Sequence, residues 1–128
     1  MDSRDLSGTA VLVVDDHEDT TDLFADVLEC EGAIVQRATS LLEALAACDA
    51  VPIRVAVTDL AMPNGSGVQL LVELRRRSPR MPVIAVTAQL LPGTPWLIRQ
   101  GFAAVLYKPV DPTELVAVVA HLAAGGSG

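Results

Sequence analysis

Five short apolar runs, each followed by a stretch with helical spacing, lay out the plan of this chain. Ala10 to Val14 is apolar throughout and stops at two aspartates, as a parallel strand buried on both faces does. From Thr20 to Glu31, Leu23, Phe24, Val27 and Leu28 form one helical stripe, and Gly32 follows as a helix-ending glycine. Ala33 to Ala38 predicts a second strand, and Leu41 to Cys48 a short helix that Ser40 caps. Arg54 to Thr58 predicts a third strand ending at Asp59, and Val68 to Arg77 a helix that stops before Pro79. Pro82 to Thr87 and Ala103 to Tyr107 predict the fourth and fifth strands. Between them Pro92, Gly93 and Pro95 delay the fourth helix to near Pro95, with Thr94 as cap. The last helix opens at Asp111-Pro112-Thr113-Glu114, a capping-box-like start with proline at its first position, and runs to near Ala124.

Alternation of this kind predicts an α/β fold with a doubly wound five-stranded parallel sheet, flanked by five helices of which the fourth is short. One domain is expected over residues 9–124, with an N-terminal arm at 1–8 and a flexible tail or linker stub at 125–128. In such sheets the functional crevice lies beyond the carboxyl ends of the strands. The polar residues that close the apolar runs there are Asp15, Asp16, Asp59, Thr87 and Lys108.

Charge and composition narrow the picture. A formal charge of −7 argues against direct nucleic-acid binding by this domain, since phosphate binding needs clustered cations. The one basic run, Arg75-Arg76-Arg77 with Arg80, falls at an expected helix end, where cations complement the helix dipole. Leu115 to Ala124 is the longest apolar candidate for a membrane span, but it falls short of the roughly 20 residues required and contains His121. The polar start shows no apolar signal region, and two cysteines without metal spacing suit reduced thiols, so a cytoplasmic location is expected. Of the nine cationic residues eight are arginine, which makes the single lysine, Lys108, stand out: a compact ammonium fits a crowded phosphate differently from a planar fork.

Three carboxylates in one crevice repel one another, and a hard divalent cation such as Mg²⁺ relieves the conflict. Asp16 and Asp59 could bind it directly and Asp15 through water. A free carboxylate could then attack a phosphoryl group, with a lysine as second cation and a threonine hydroxyl as hydrogen-bond donor. Blander roles stay open: the acid pair as a helix cap, Asp59 as a turn residue, Thr87 as a strand-end hydroxyl. His17 has no spaced His or Cys partner and is expected at the rim rather than on zinc.

The acid pair, T-D-L-A-M-P-N-G-S-G around Asp59, V-T-A at Val86 to Ala88 and Y-K-P at Tyr107 to Pro109 together resemble the response-regulator receiver family, over roughly residues 9–124. The resemblance implies a flavodoxin-like strand order, 2-1-3-4-5, with Asp59 as phosphoacceptor. It implies Mg²⁺ (or Mn²⁺) held by Asp15, Asp16, Asp59 and the backbone carbonyl of Ala61. Thr87, Ala88 and Lys108 would bind the phosphate, Lys108 pairing with Asp59 beforehand. Pro109 would follow a cis bond, and Gly67 would open the third helix at a turn that needs freedom from a Cβ. The implied donor is a sensor histidine kinase or histidine phosphotransfer protein, and the domain would catalyse only its own phosphorylation and dephosphorylation.

Two departures stand out. The family's switch aromatic falls at Val105, while Tyr107 lies on the same face of the strand and is a possible substitute. Trp96, in the shortened fourth helix, is either core or an exposed anchor. The broad apolar surface of the last helix suggests a partner or homodimer face made with the fourth helix and fifth strand. Rival functions are a receiver-fold interaction module working without phosphate and a small metal-dependent phosphohydrolase, for which no dedicated acid/base is evident.

Overall fold

A computed structural model describes residues 5–62, 65–91 and 93–126. The expected features at residues 1–4, 63–64, 92 and 127–128 lie outside the described residues. Five parallel strands form one sheet: β1 (Ala10–Val14), β2 (Ile34–Ala38), β3 (Val55–Asp59), β6 (Val83–Thr87) and β7 (Ala104–Tyr107). Two short strands between them, β4 (Ala61–Met62) and β5 (Gly65–Ser66), pair antiparallel in a separate ladder that the hydrophobic pattern did not reveal. The sheet order is β2-β1-β3-β6-β7, which is 2-1-3-4-5 when its own strands alone are counted.

Side-chain alternation divides the core in two. Val11 and Val13 point to one face with Val55, Val57, Ile84 and Val86, where α1 (Glu18–Cys30) and α5 (Pro112–Ala123) cover them. Leu12 and Val14 point to the other, against α2 (Leu41–Ala50), α3 (Gly67–Arg77) and α4 (Thr94–Gln100). All five residues of β3 and of β6 are buried, which is why these strands read as β-branched and small apolar runs up to their polar ends at Thr58-Asp59 and Thr87.

The expected elements are present, with differences at their ends. Leu6, in the segment expected as an arm, is 1% exposed, and its N–H donates to Glu31 O at 2.9 Å. Gly93, at φ 93°, precedes α4 in place of Thr94, because the Thr94 hydroxyl is engaged with the Tyr107 hydroxyl at 2.6 Å. Asp111 caps α5 by accepting from Thr113 N–H, a one-sided cap; the reciprocal capping box forms instead at α3, between Ser66 and Gln69. Most of the apolar width of α5 is absorbed internally, since Leu115, Val116, Val119 and Leu122 are buried. At its end Gly125 (φ 90°) and Gly126 donate to Leu122 O and His121 O, so these two residues finish the helix before any tail begins.

The basic run closes α3 as expected and does more than face its dipole. Arg75 donates to Met81 O and, at 2.8 Å, to Gly101 O, tying α3 to the segments that lead into β6 and β7. No helix among the described residues is long and apolar enough to cross a membrane.

Candidate functional site

Parallel strands in near-level register bring their carboxyl ends together. Val14 lies beside Thr58, Asp59 beside Val86, and Thr87 beside Tyr107. The residues that follow or end these strands therefore share one rim, where a cleft of about 420 Å³ is lined by Asp16, His17, Asp59, Ala61, Met62, Thr87, Ala88, Gln89 and Lys108. Asp15, 1% exposed, lies beneath this lining.

Lys108 Nζ stands between two carboxylates, 3.1 Å from Asp15 Oδ2 and 3.5 Å from Asp59 Oδ2. The Lys108–Asp59 ion pair is present as expected, and Lys108 also donates a hydrogen bond to Asp15, a second partner that the sequence did not indicate. The buried Asp15 carboxylate is cut off from water and satisfies itself with the ammonium on one oxygen and His17 N–H, at 2.9 Å, on the other. Burial pulls the Lys108 pKa down, but the bond to Asp15 and the charges of Asp59 and Asp15 outweigh it and hold the ammonium above the ordinary lysine value. Burial pushes the Asp59 pKa up, the neighbouring Asp15 charge pushes it further, and Lys108 and the Ala61 N–H at 3.3 Å offset only part of this. Asp59 is thus an ionisable group whose anion wants a cation.

Asp16 supplies the observation that tests a cation's fit. Its Oδ1 is buried and accepts no hydrogen bond, although His17 Nδ1 stands 3.3 Å away. A buried carboxylate oxygen without a donor is costly unless something positive meets it. The oxygen-rich set of Asp16, Asp59 and the Ala61 backbone carbonyl fits a hard divalent ion. Asp15, both of whose oxygens already accept hydrogen bonds, suits a place behind a water.

The other expected residues divide between those the rim gathers and those it does not. Thr87 lines the cleft, yet its hydroxyl accepts Gln89 N–H at 3.0 Å in a local turn. Ala88 follows in the same lining. The Lys108–Pro109 bond is cis, as the resemblance implies, and Lys108 N–H donates to Thr87 O at 2.9 Å. Gly67 does open α3, and the room it needs is room from a Cβ, which would stand 2.6 Å from Asp59 O. Val105 is half-buried in the core between the sheet and α2, α3 and α4. Tyr107 and Trp96 are 37% and 36% exposed and stand away from the cleft lining. Three contributors were not singled out from sequence: Met62, the backbone of Gln89, and the Ala61 N–H. Only the adjacency of His17 to the acid pair gave a signal that it would share the site.

Sequence and structure comparisons agree with this geometry. The response regulator receiver domain family matches residues 11–120, and the chain belongs to it. An uncharacterized 14.6 kDa protein in the sodA1 3' region of Leptolyngbya boryana is 40% identical over 112 residues, covering 85% of this chain and 86% of that one. The response regulator SaeR of Staphylococcus aureus is 31% identical over 115 residues, covering 89% of this chain, which spans about 50% of SaeR. A CheY-like receiver domain protein from Methanospirillum hungatei superposes with a TM-score of 0.86 at 28% identity, covering 93% of this chain and 96% of that one. The chain is a receiver domain of the two-component response-regulator type.

Proposed function

We propose that this receiver domain accepts a phosphoryl group on Asp59 from a phosphohistidine and thereby switches its binding to a partner. The observation that carries the reading is the convergence, in one cleft, of Asp59, Lys108 and the donor-free oxygen of Asp16. The Asp59 carboxylate attacks phosphorus, an O–P bond forms, the N–P bond of the donor breaks, and the departing imidazole takes up a proton. Bound Mg²⁺ or Mn²⁺ would neutralise charge on the phosphoryl oxygens. Lys108 supplies the second positive charge, and the Ala61 and Ala88 segments line the space the group enters. The Thr87 hydroxyl must leave Gln89 to reach the phosphate, which loosens the segment leading to α4. The chain's own catalysis extends to its phosphorylation and dephosphorylation and no further.

The donor is a sensor histidine kinase or a histidine phosphotransfer protein, and the working compartment is the cytoplasm. Output falls to the face of α4, β7 and α5, where an apolar groove of about 410 Å³ includes Ile98, Val105 and Val118. A homodimer or an output domain suits that face; an acidic chain of −7 does not suit nucleic acid. Val105 in place of the aromatic favours a second reading, an interaction module that works without phosphate.

Intact-mass measurement after incubation with Mg²⁺ and phosphoramidate separates these readings. Expected is one added phosphoryl on the wild type and none on Asp59→Asn. No addition to either supports the second reading, and phosphate release over many turnovers that persists in Asp59→Asn would indicate a hydrolase instead.

A further inference from the structure

Among the described residues, the potential ligand atoms of Asp15, Asp16 and His17 form the only cluster of three or more His, Cys, Asp or Glu groups that all lie within 4.8 Å of one another. The backbone of His17 is fixed on both sides. Its N–H donates to Asp15 Oδ1 at 2.9 Å, and its carbonyl accepts the N–H groups of Thr20 and Thr21 at the start of α1. The ring is thereby held over the acid pair, with Nδ1 3.3 Å from Asp15 Oδ1 and 3.3 Å from Asp16 Oδ1. It lines the same cleft as Asp59, and its side chain is 71% exposed, so small ring movements meet little resistance.

The two acidic residues differ in what they have left to offer. Asp15 spends one oxygen on Lys108 and the other on His17, whose N–H stands at 2.9 Å and whose ring Nδ1 at 3.3 Å. Asp16 Oδ1 is buried without a donor, and the nearest candidate, His17 Nδ1, forms no hydrogen bond with it. His17 Nδ1 is within hydrogen-bond reach of Asp15 Oδ1 at 3.3 Å and equally far from Asp16 Oδ1; with the ring proton on Nε2, it and Asp16 Oδ1 are arranged as two donors of electron pairs to a third atom.

We propose that His17 Nδ1 joins Asp16 as a ligand of the cation and gives this site a preference for divalent transition-metal ions over Mg²⁺. The proposal rests on the cation-binding reading above and specifies the ion. Mg²⁺ favours oxygen ligands and keeps its waters, whereas imidazole suits the first-row ions, with affinity rising from Mn²⁺ towards Ni²⁺. A site of carboxylates alone lacks this added discrimination.

Isothermal titration of the untagged chain with MgCl₂, MnCl₂ and NiCl₂ reads the preference, with His17→Ala and Asp16→Asn titrated alongside. His17→Ala is expected to weaken Ni²⁺ on the order of tenfold or more while Mg²⁺ changes by less than about twofold. Asp16→Asn should weaken both. A ring ¹⁵N spectrum recorded during a Zn²⁺ titration should move the His17 nitrogen resonances before those of His121. Unchanged Ni²⁺ affinity in His17→Ala, with Mg²⁺ still lost in Asp16→Asn, would overturn the role of His17 and leave the cation site standing. Absence of any binding at Asp16 in the wild type would remove both.

Discussion

The two ends of the sheet's carboxyl rim are built differently. At β1 and β3, the buried carboxylates of Asp15 and Asp59 are held by Lys108, which reaches across from the end of β7, and α3 begins with a capping box and buries Gly67, Leu70, Leu71 and Leu74. At β6 and β7, Leu90 and Leu91 are each 80% exposed, and α4 has seven residues with only Leu97 buried. Two hydroxyl contacts tether that side: Thr87 with Gln89 N–H, and Thr94 with Tyr107. Chemistry that must hold charges in place sits on the pinned side, while a structural response needs a segment whose opening costs little. On the proposed function, the contrast would let one small domain be both a rigid reagent and a movable signal.

The sharpest break on the pinned side is Asp59→Asn, which should abolish phosphoryl uptake while raising the melting temperature at neutral pH. The sign follows from the raised Asp59 pKa: its favourable contribution is complete below the unfolded value of 3.8 and is lost as pH rises through the folded value. Asparagine does not titrate, so the gain in thermal stability should shrink as pH falls towards that range, and added Mg²⁺ should narrow it at neutral pH by stabilising the wild type. Thermal melts between acid and neutral pH check both signs.

Gly67→Ala comes next. A Cβ placed 2.6 Å from Asp59 O forces the backbone apart, and a loss of about 1–3 kcal/mol in urea unfolding is expected, as for other overpacked sites. Arg75→Met tests the strut between α3 and the approaches to β6 and β7. Leaving Met81 O and Gly101 O without their donor should cost roughly 1–3 kcal/mol, provided both stay shielded from water.

The smallest effect belongs to the loose side. Tyr107→Phe removes the hydroxyl that meets Thr94, at a cost of about 0.5–1.5 kcal/mol. Its signature is local: faster amide hydrogen exchange across α4 with α3 unchanged. Equal acceleration in both helices would erase the proposed difference between the two sides.

Strand positions were legible because β1, β3 and β6 are buried on both faces and so write continuous apolar runs into the sequence. The site followed from the topology, since Asp15, Asp16, Asp59, Thr87 and Lys108 each close such a run. What stayed hidden depends on pairings that no residue type announces. Lys108 stands between Asp15 and Asp59 and pairs with both, and the hydrogen bond to Asp15 follows from the packed rim rather than from any residue type. The β4–β5 ladder has two residues a side, too short for periodicity, yet it orders the segment whose Ala61 N–H meets Asp59. Thr94 looked like a cap because threonine caps helices, but a tyrosine hydroxyl 13 residues later claims it.

The acid rim is expected to take a divalent ion and a phosphoryl group together. Amide NMR spectra of the ¹⁵N-labelled chain with Mg²⁺ alone, beryllofluoride alone and both test it most directly. Mg²⁺ alone is expected to shift Ala61, and large shifts of Thr87, Ala88 and Lys108, spreading to α4, are expected only with both present. Spectra that stay unchanged in the combined sample would contradict it.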